Sequence, residues 1–168
     1  MRRFGNQDLA DSNIYVLQMD QGQKKKSARN NLLFVVGIAV LQIAAGFLNQ
    51  PSSRTFYVVY PYLVVFLPLI YAFLGVSTYY GATTRMSSRQ YREGIQRIRR
   101  SLIGIMVLKM IGLILDLIFF IRNIGEFASA GQTSMEIAYL MLHLPVIVLI
   151  VMYARYYDKT YTQIQVES

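Results

Sequence analysis

The chain has 168 residues, 54% of them hydrophobic and only 15% charged, with a formal net charge of +8 and no cysteine. A mean hydropathy of +0.35 is above what the surface of a soluble domain of this length carries, so most of the solvent around the chain is lipid. The absence of cysteine excludes disulfides, thiolate metal sites and thiol redox chemistry.

Residues 1–30 form a polar, basic tail with Arg2, Arg3, Lys24, Lys25, Lys26 and Arg29, and with Asp8, Asp11 and Asp20 scattered among them. It reads as a flexible or partner-binding segment. A first apolar run follows at about 32–49, and three more at about 57–78, 101–121 and 135–154. Each is long enough to cross a hydrocarbon core of about 30 Å at about 1.5 Å per residue. AAGFLN at 44–49 offers the small residues of a signal-peptide cleavage site. The long polar segment before the run argues that the helix is kept, so the expectation is an all-α membrane protein with four transmembrane helices in one bundle, residues 31–157, and a short tail at 158–168.

The connector at 84–100 is rich in arginine. Within SSRQYREGIQRIRRSL, 87–102, Ser88 is placed to cap a helix, and Tyr91, Ile95, Ile98 and Leu102 recur at helical spacing. The third helix is therefore expected to begin outside the hydrocarbon and to lie partly along the membrane surface. Thr133 and Glu136 have the spacing of a capping box at the start of the fourth helix. Pro68 and Pro145 are expected to kink the second and fourth helices alike.

Basic residues set the expected orientation, because Lys and Arg near helix ends stay on the cytoplasmic side. They cluster in the N-terminal tail, in the connector (Arg85, Arg89, Arg92, Arg97, Arg99, Arg100) and at Arg155 and Lys159, whereas the opposite loops hold Arg54 and Arg122. Both termini are thus expected in the cytoplasm, with the protein in the plasma or inner membrane. Tyrosine favours the headgroup level, which places Tyr57, Tyr60, Tyr62 and Tyr139 at the outer face and Tyr79, Tyr80, Tyr156 and Tyr157 at the inner.

An internal repeat runs through the crossings. GIAVLQIAAGFLN at 37–49 matches GIMVLKMIGLILD at 104–116 at an offset of 67, and Tyr62-Leu63, Leu67-Pro68, Ile70 and Tyr79-Tyr80 recur 77 residues later as Tyr139-Leu140, Leu144-Pro145, Ile147 and Tyr156-Tyr157. Two tandem parallel αα-hairpins follow, at about 31–83 and 98–160, related by a pseudo-twofold axis along the membrane normal. Under these offsets Lys109 falls on Gln42, Asp116 on Asn49 and His143 on Phe66.

Gln42, Asn49, Lys109, Asp116 and His143 are the buried polar candidates, since ionisable groups in lipid are costly and mark functional positions. Lys109 and Asp116 share a helix face about 10 Å apart, too far to bond directly. Gly104 and Gly112 leave that face narrow, so it looks into the bundle. Counting inward, Asp116 lies about 9 Å deep and His143 about 13 Å, at similar heights on antiparallel neighbours. A carboxylate beside an imidazole can handle a proton, or the two can simply satisfy each other.

There is no Walker loop, dinucleotide fingerprint, HExxH or nucleophile elbow. One histidine without cysteine gives no zinc or bis-histidine haem site. No catalytic residue, cofactor or metal is expected, and the positive-inside pattern accounts for the charge without nucleic acid. The expectation is a non-catalytic accessory or scaffold subunit that binds anionic lipid headgroups, other membrane proteins or itself. Its contacts are Lys24, Lys25, Lys26, Arg89, Arg92, Arg97, Arg99 and Arg100. The alternative is a small ion- or proton-coupled transporter with a polar path at Lys109, Asp116 and His143.

Overall fold

A computed structural model of the chain describes residues 13–48, 64–161 and 164–167. Arg2, Arg3, Asp8, Asp11, Asn49, Arg54, Tyr57, Tyr60, Tyr62 and the opening stretch of the second expected crossing, 57–63, lie outside the described residues. The elements are β1 (Ile14–Leu17), α1 (Gln21–Leu48), α2 (Phe66–Gly81), β2 (Arg85–Ser87), α3 (Ser88–Ser129), α4 (Thr133–Tyr161) and β3 (Ile164–Glu167).

The described residues are nearly all helical. Three helices, α1, α3 and α4, are long and apolar enough to cross a membrane. The second expected crossing is described from residue 64 onward. Its α2 has 16 residues, or about 24 Å, short of a core of about 30 Å.

Local sequence explains the helix ends. Asp20 and Gln23 form a capping box at the start of α1, with Gln23 N donating to Asp20 Oδ1 at 2.7 Å and Asp20 N to Gln23 Oε1 at 3.1 Å. The helix therefore begins within the residues that composition assigns to the tail. A second capping box, Ser87 with Gln90, starts α3. Ser88, the expected cap, is buried and donates instead to the Asn13 carbonyl at 3.0 Å. At the other end of α3, Gly131 adopts φ 66°, which glycine alone takes without steric cost. Gln132 N then reaches the Phe127 carbonyl at 2.9 Å and Gly131 N the Ala128 carbonyl at 3.3 Å, closing a Schellman turn.

Each helix packs on its chain neighbours, and α4 returns to α1, so the four form a ring in chain order. Inward residues recur at helical spacing, as in Ala28, Asn31, Val35, Ile38, Gln42 and Ala45 of α1. The outward faces are apolar too: Leu33, Val40 and Phe47 on α1, Ile103 and Ile121 on α3, Met141 and Val148 on α4 are all more than half exposed. A surface of that kind is stable only against lipid or another apolar partner.

The first three turns of α3 do not follow the surface-helix expectation. Ile95, Ile98 and Leu102 are fully buried against the rest of the protein, and Tyr91 stacks on Tyr15 of β1 with ring centroids 4.0 Å apart. The apolar stripe there serves the bundle, and α3, 42 residues long, extends well beyond a bilayer core of about 30 Å. A π-helical turn at Arg92–Gln96 packs against α2. There a Cβ added at Gly75 would meet the Gly94 carbonyl at 3.1 Å.

Pro68 and Pro145 differ in setting. Pro68, which has no N–H to offer the Val64 carbonyl, lies in the first turn of α2 just after a break at Val65 that follows helical Val64, whereas Pro145 lies inside α4. The fourth helix begins at Thr133 itself, so Thr133 is not outside the helix as a cap would be, and Glu136 is buried.

The two tails and the connector converge in a feature composition did not announce. β1 is the central strand of a three-stranded antiparallel sheet in the order β2-β1-β3, with Tyr15 opposite both Met86 and Val166. Leu17 and Met86 are buried and join the core beside Ala82, Tyr157 and Tyr161. The sheet ties the N-terminal segment, the connector and the C-terminal segment to one end of the bundle.

Candidate functional site

Four of the five buried polar candidates meet. Gln42 (α1), Lys109 and Asp116 (α3) and His143 (α4) are each no more than 3% exposed, and all line one small cavity with Gly112 and Tyr139. Asn49 lies outside the described residues.

The helical repeat explains the convergence. Lys109 and Asp116 are seven residues apart and Gly112 lies between them, so all three face inward from α3. Tyr139 and His143 are one turn apart on α4 and share its inward face. The Lys109 ammonium donates to Gln42 Oε1 at 2.9 Å. Asp116 Oδ2 accepts from the Tyr139 hydroxyl at 2.9 Å and lies 3.1 Å from His143 Nε2. That second approach is short enough for an ion pair but off the line of a hydrogen bond, and His143 Nδ1 has no protein partner. The Tyr139 and His143 rings stand edge to face, 5.2 Å apart at 88°.

The cluster carries one lysine and one carboxylate, so its formal charges cancel within a single cavity. That compensation is what makes two ionisable groups tolerable in a low-dielectric interior. The space between them is about 10 Å³, at the lower limit for one water molecule. Chemically the site can hold a proton on imidazole or carboxylate, and it offers hydrogen bonds, but it has no room for a substrate. Among the described residues no group of three His, Cys, Asp or Glu side chains is placed to hold a metal ion.

A second polar layer lies at the sheet end. Lys24 is 1% exposed, turned inward rather than toward headgroups. Its ammonium reaches the carbonyls of Tyr79 at 2.7 Å, Tyr80 at 3.3 Å and Ala82, and it stands over the Tyr79 ring. A cation is well placed there, because the last carbonyls of a helix have no intrahelical donor and bear partial negative charge. The hydroxyl of Tyr161 pairs with Ser27 at 3.0 Å and accepts from Asn31 Nδ2 at 2.6 Å.

Sequence reasoning missed this layer and the role of Tyr139. Tyr79, Tyr139 and Tyr157 are buried in the bundle, and each hydroxyl has an internal partner: Met19 Sδ at 3.8 Å, Asp116, and the Ile95 carbonyl at 3.1 Å. Two spacings carried the signal. Tyr139 is four residues before His143, and Lys24, Ser27 and Asn31 form an i, i+3, i+7 stripe.

The remaining basic candidates lie outward. Lys25, Lys26, Arg92, Arg99 and Arg100 are exposed; Arg89 pairs with Glu93 at 3.0 Å, and Arg97 stands over the Tyr71 ring at 4.8 Å. Comparison with protein-family models, with curated proteins and with solved structures finds no match for this chain.

Proposed function

We propose that the chain is a non-catalytic polytopic membrane protein, an accessory or scaffold subunit of a larger membrane assembly. In this reading it sits in the plasma or inner membrane with its sheet end in the cytoplasm, touching anionic headgroups through its basic residues and neighbouring proteins through its apolar flanks. One observation carries the reading. The interior polar groups are engaged with one another, Lys109 with Gln42 and Tyr139 with Asp116, around only about 10 Å³, which suits a packed support better than a pathway. The orientation is supported by the sheet, which brings β1, β2 and β3, and with them three basic stretches of the chain, to one end. Extraction in a mild detergent followed by mass measurement tests it: companion proteins in fixed stoichiometry, or copies of this chain, are expected, and a solitary monomer contradicts it.

The duplicated hairpin belongs to the same proposal. Its support is a matching pattern of burial: Ala28, Asn31, Val35, Ile38 and Gln42 are buried, as are Ile95, Ile98, Leu102, Ile105 and Lys109, each 67 residues later. Gln42 and Lys109, equivalent under that offset, hydrogen bond to each other, and equivalent side chains of a twofold pair touch only near the axis. The unlike settings of Pro68 and Pro145 weigh on the other side. A crystal structure of the protein in lipid, with its two halves superposed on each other, decides the point.

A second reading, a small ion- or proton-coupled transporter, is favoured by one specific observation: His143 Nε2 lies 3.1 Å from Asp116 Oδ2 with Nδ1 unpartnered. An imidazole and a carboxylate so placed can exchange a proton. It requires the cavity to open alternately toward each side of the membrane.

A further inference from the structure

The central cluster leaves unexplained an open groove between α1 and α2 at the sheet end. Its volume is about 700 Å³, within the range of about 300–1,000 Å³ typical of small-molecule sites. Lys25, Lys26 and Arg29 line the end nearest the sheet, and Leu32, Phe73 and Val76 line the stretch deeper along the two helices. No lining residue is acidic, and among the described residues none of the three cations is paired with a carboxylate. Lys24, their neighbour, is turned away into the bundle.

The two halves of the chain carry different residues at this stretch. Under the 77-residue offset, Val76 and Tyr80 correspond to Tyr153 and Tyr157. Both tyrosines are buried, Tyr157 donating to the Ile95 carbonyl of α3 at 3.1 Å and Tyr153 stacking on Phe34 of α1, whereas Tyr80 is 61% exposed. The first half leaves this stretch open, with cations toward the sheet end and apolar side chains farther along the two helices.

We infer that this groove binds one anionic phospholipid, its phosphate held by Lys25, Lys26 and Arg29 and one acyl chain lying over Leu32, Phe73 and Val76. The order of charge then greasy floor along the helix axes matches the order of headgroup then chain in a leaflet, and three cations without a carboxylate complement an anionic headgroup and not a zwitterionic one. The inference rests on the membrane reading above and narrows its lipid contact to one place. Alkaline extraction of membranes tests that parent reading separately, since a chain that is not integral leaves with the soluble fraction.

The test is native mass spectrometry of the full chain in mild detergent, titrated with phosphatidylglycerol or with phosphatidylcholine of the same chains. One phosphatidylglycerol retained per chain is expected, and no phosphatidylcholine. The triple variant Lys25→Gln, Lys26→Gln, Arg29→Gln should bind about a hundredfold more weakly, from the contribution of each cation near an anionic headgroup. Ser77→Trp, which fills the groove from an exposed position without changing charge, should lose the lipid as well. Phe73→Ala, which removes a half-exposed portion of the floor, gives a second uncharged probe, with circular dichroism confirming that it folds. Equal retention of the two lipids overturns the inference, as does undiminished phosphatidylglycerol binding by Phe73→Ala and Ser77→Trp, or a bound polypeptide in place of lipid. Loss of lipid in a variant with Arg89, Arg92, Arg99 and Arg100 changed to Gln, with the groove variants unaffected, also overturns it while leaving a lipid-binding basic face in place.

Discussion

Lys109 Nζ and Gln42 Oε1 meet at 2.9 Å across the bundle, and the carboxylate that balances the ammonium lies on the same cavity, held by Tyr139 rather than by the lysine. The two charges stabilise each other through the shared low-dielectric space without direct contact, so each keeps its own neutral hydrogen-bond partner. Removing either charge leaves the other uncompensated in a site that water scarcely enters.

Lys109→Met is therefore expected to destabilise the protein by about 3–5 kcal/mol, the usual consequence of deleting one member of a buried charge pair. The double variant Lys109→Met, Asp116→Asn should recover some of that loss, because no isolated charge remains. Chemical denaturation in detergent, read as a double-mutant cycle, checks both.

Lys24→Met should loosen the end of α2, since the ammonium serves the carbonyls of Tyr79, Tyr80 and Ala82. A loss of about 2–3 kcal/mol is expected from carbonyls left without a donor. Hydrogen exchange should rise at Tyr79–Ala82 before it rises elsewhere in the bundle. Unchanged protection there would remove Lys24 from this role.

Much of the interior was legible in the sequence, and the failures have physical causes. Asp116 and His143 could be brought to one height by counting about 1.5 Å per residue from the ends of antiparallel helices, because helix geometry is rigid enough for dead reckoning. The lysine run was not separable in that way. Lys24, Lys25 and Lys26 look alike until the helix start is fixed, and the Asp20–Gln23 capping box that fixes it was present as D-x-x-Q but unread. Once α1 begins at Gln21, the helical period turns Lys24 inward with Ser27 and Asn31 and leaves Lys25 and Lys26 outside. The sheet lay beyond local reasoning. IYVL at 14–17 has the composition of a strand, but its partners sit about 70 and 150 residues away, and nothing in four residues encodes such distant pairing.

Gly75 and Gly81 should respond in opposite ways to alanine. A Cβ at Gly75 would lie 3.0 Å from Ile98 Cγ1 and 3.1 Å from the Gly94 carbonyl, whereas one at Gly81 meets nothing within 4 Å. Gly75→Ala is expected to cost about 1–3 kcal/mol by forcing α2 and α3 apart, and Gly81→Ala to be neutral or stabilising by up to about 1 kcal/mol. Paired melting curves in detergent distinguish the two; a neutral Gly75→Ala would mean the helices are not in close contact there.

Cutting the chain after Tyr161 removes β3 and exposes one edge of β1, which keeps β2 on its other side. Amides of Ile14–Leu17 that face β3 should then exchange faster, while α4, held by Tyr153 and Tyr157 in the core, keeps its protection. Loss of protection throughout α4 would show that the sheet holds the bundle together instead of closing its end.

The central claim is that the Gln42, Lys109, Asp116, Tyr139 and His143 cluster is closed packing rather than a route. Ion and proton flux in proteoliposomes, compared between the natural chain and Asp116→Asn, tests it most directly. The account predicts flux no greater than in empty vesicles for both proteins, with the variant measurably less stable; sustained flux by the natural chain that Asp116→Asn abolishes while leaving folding intact would contradict it.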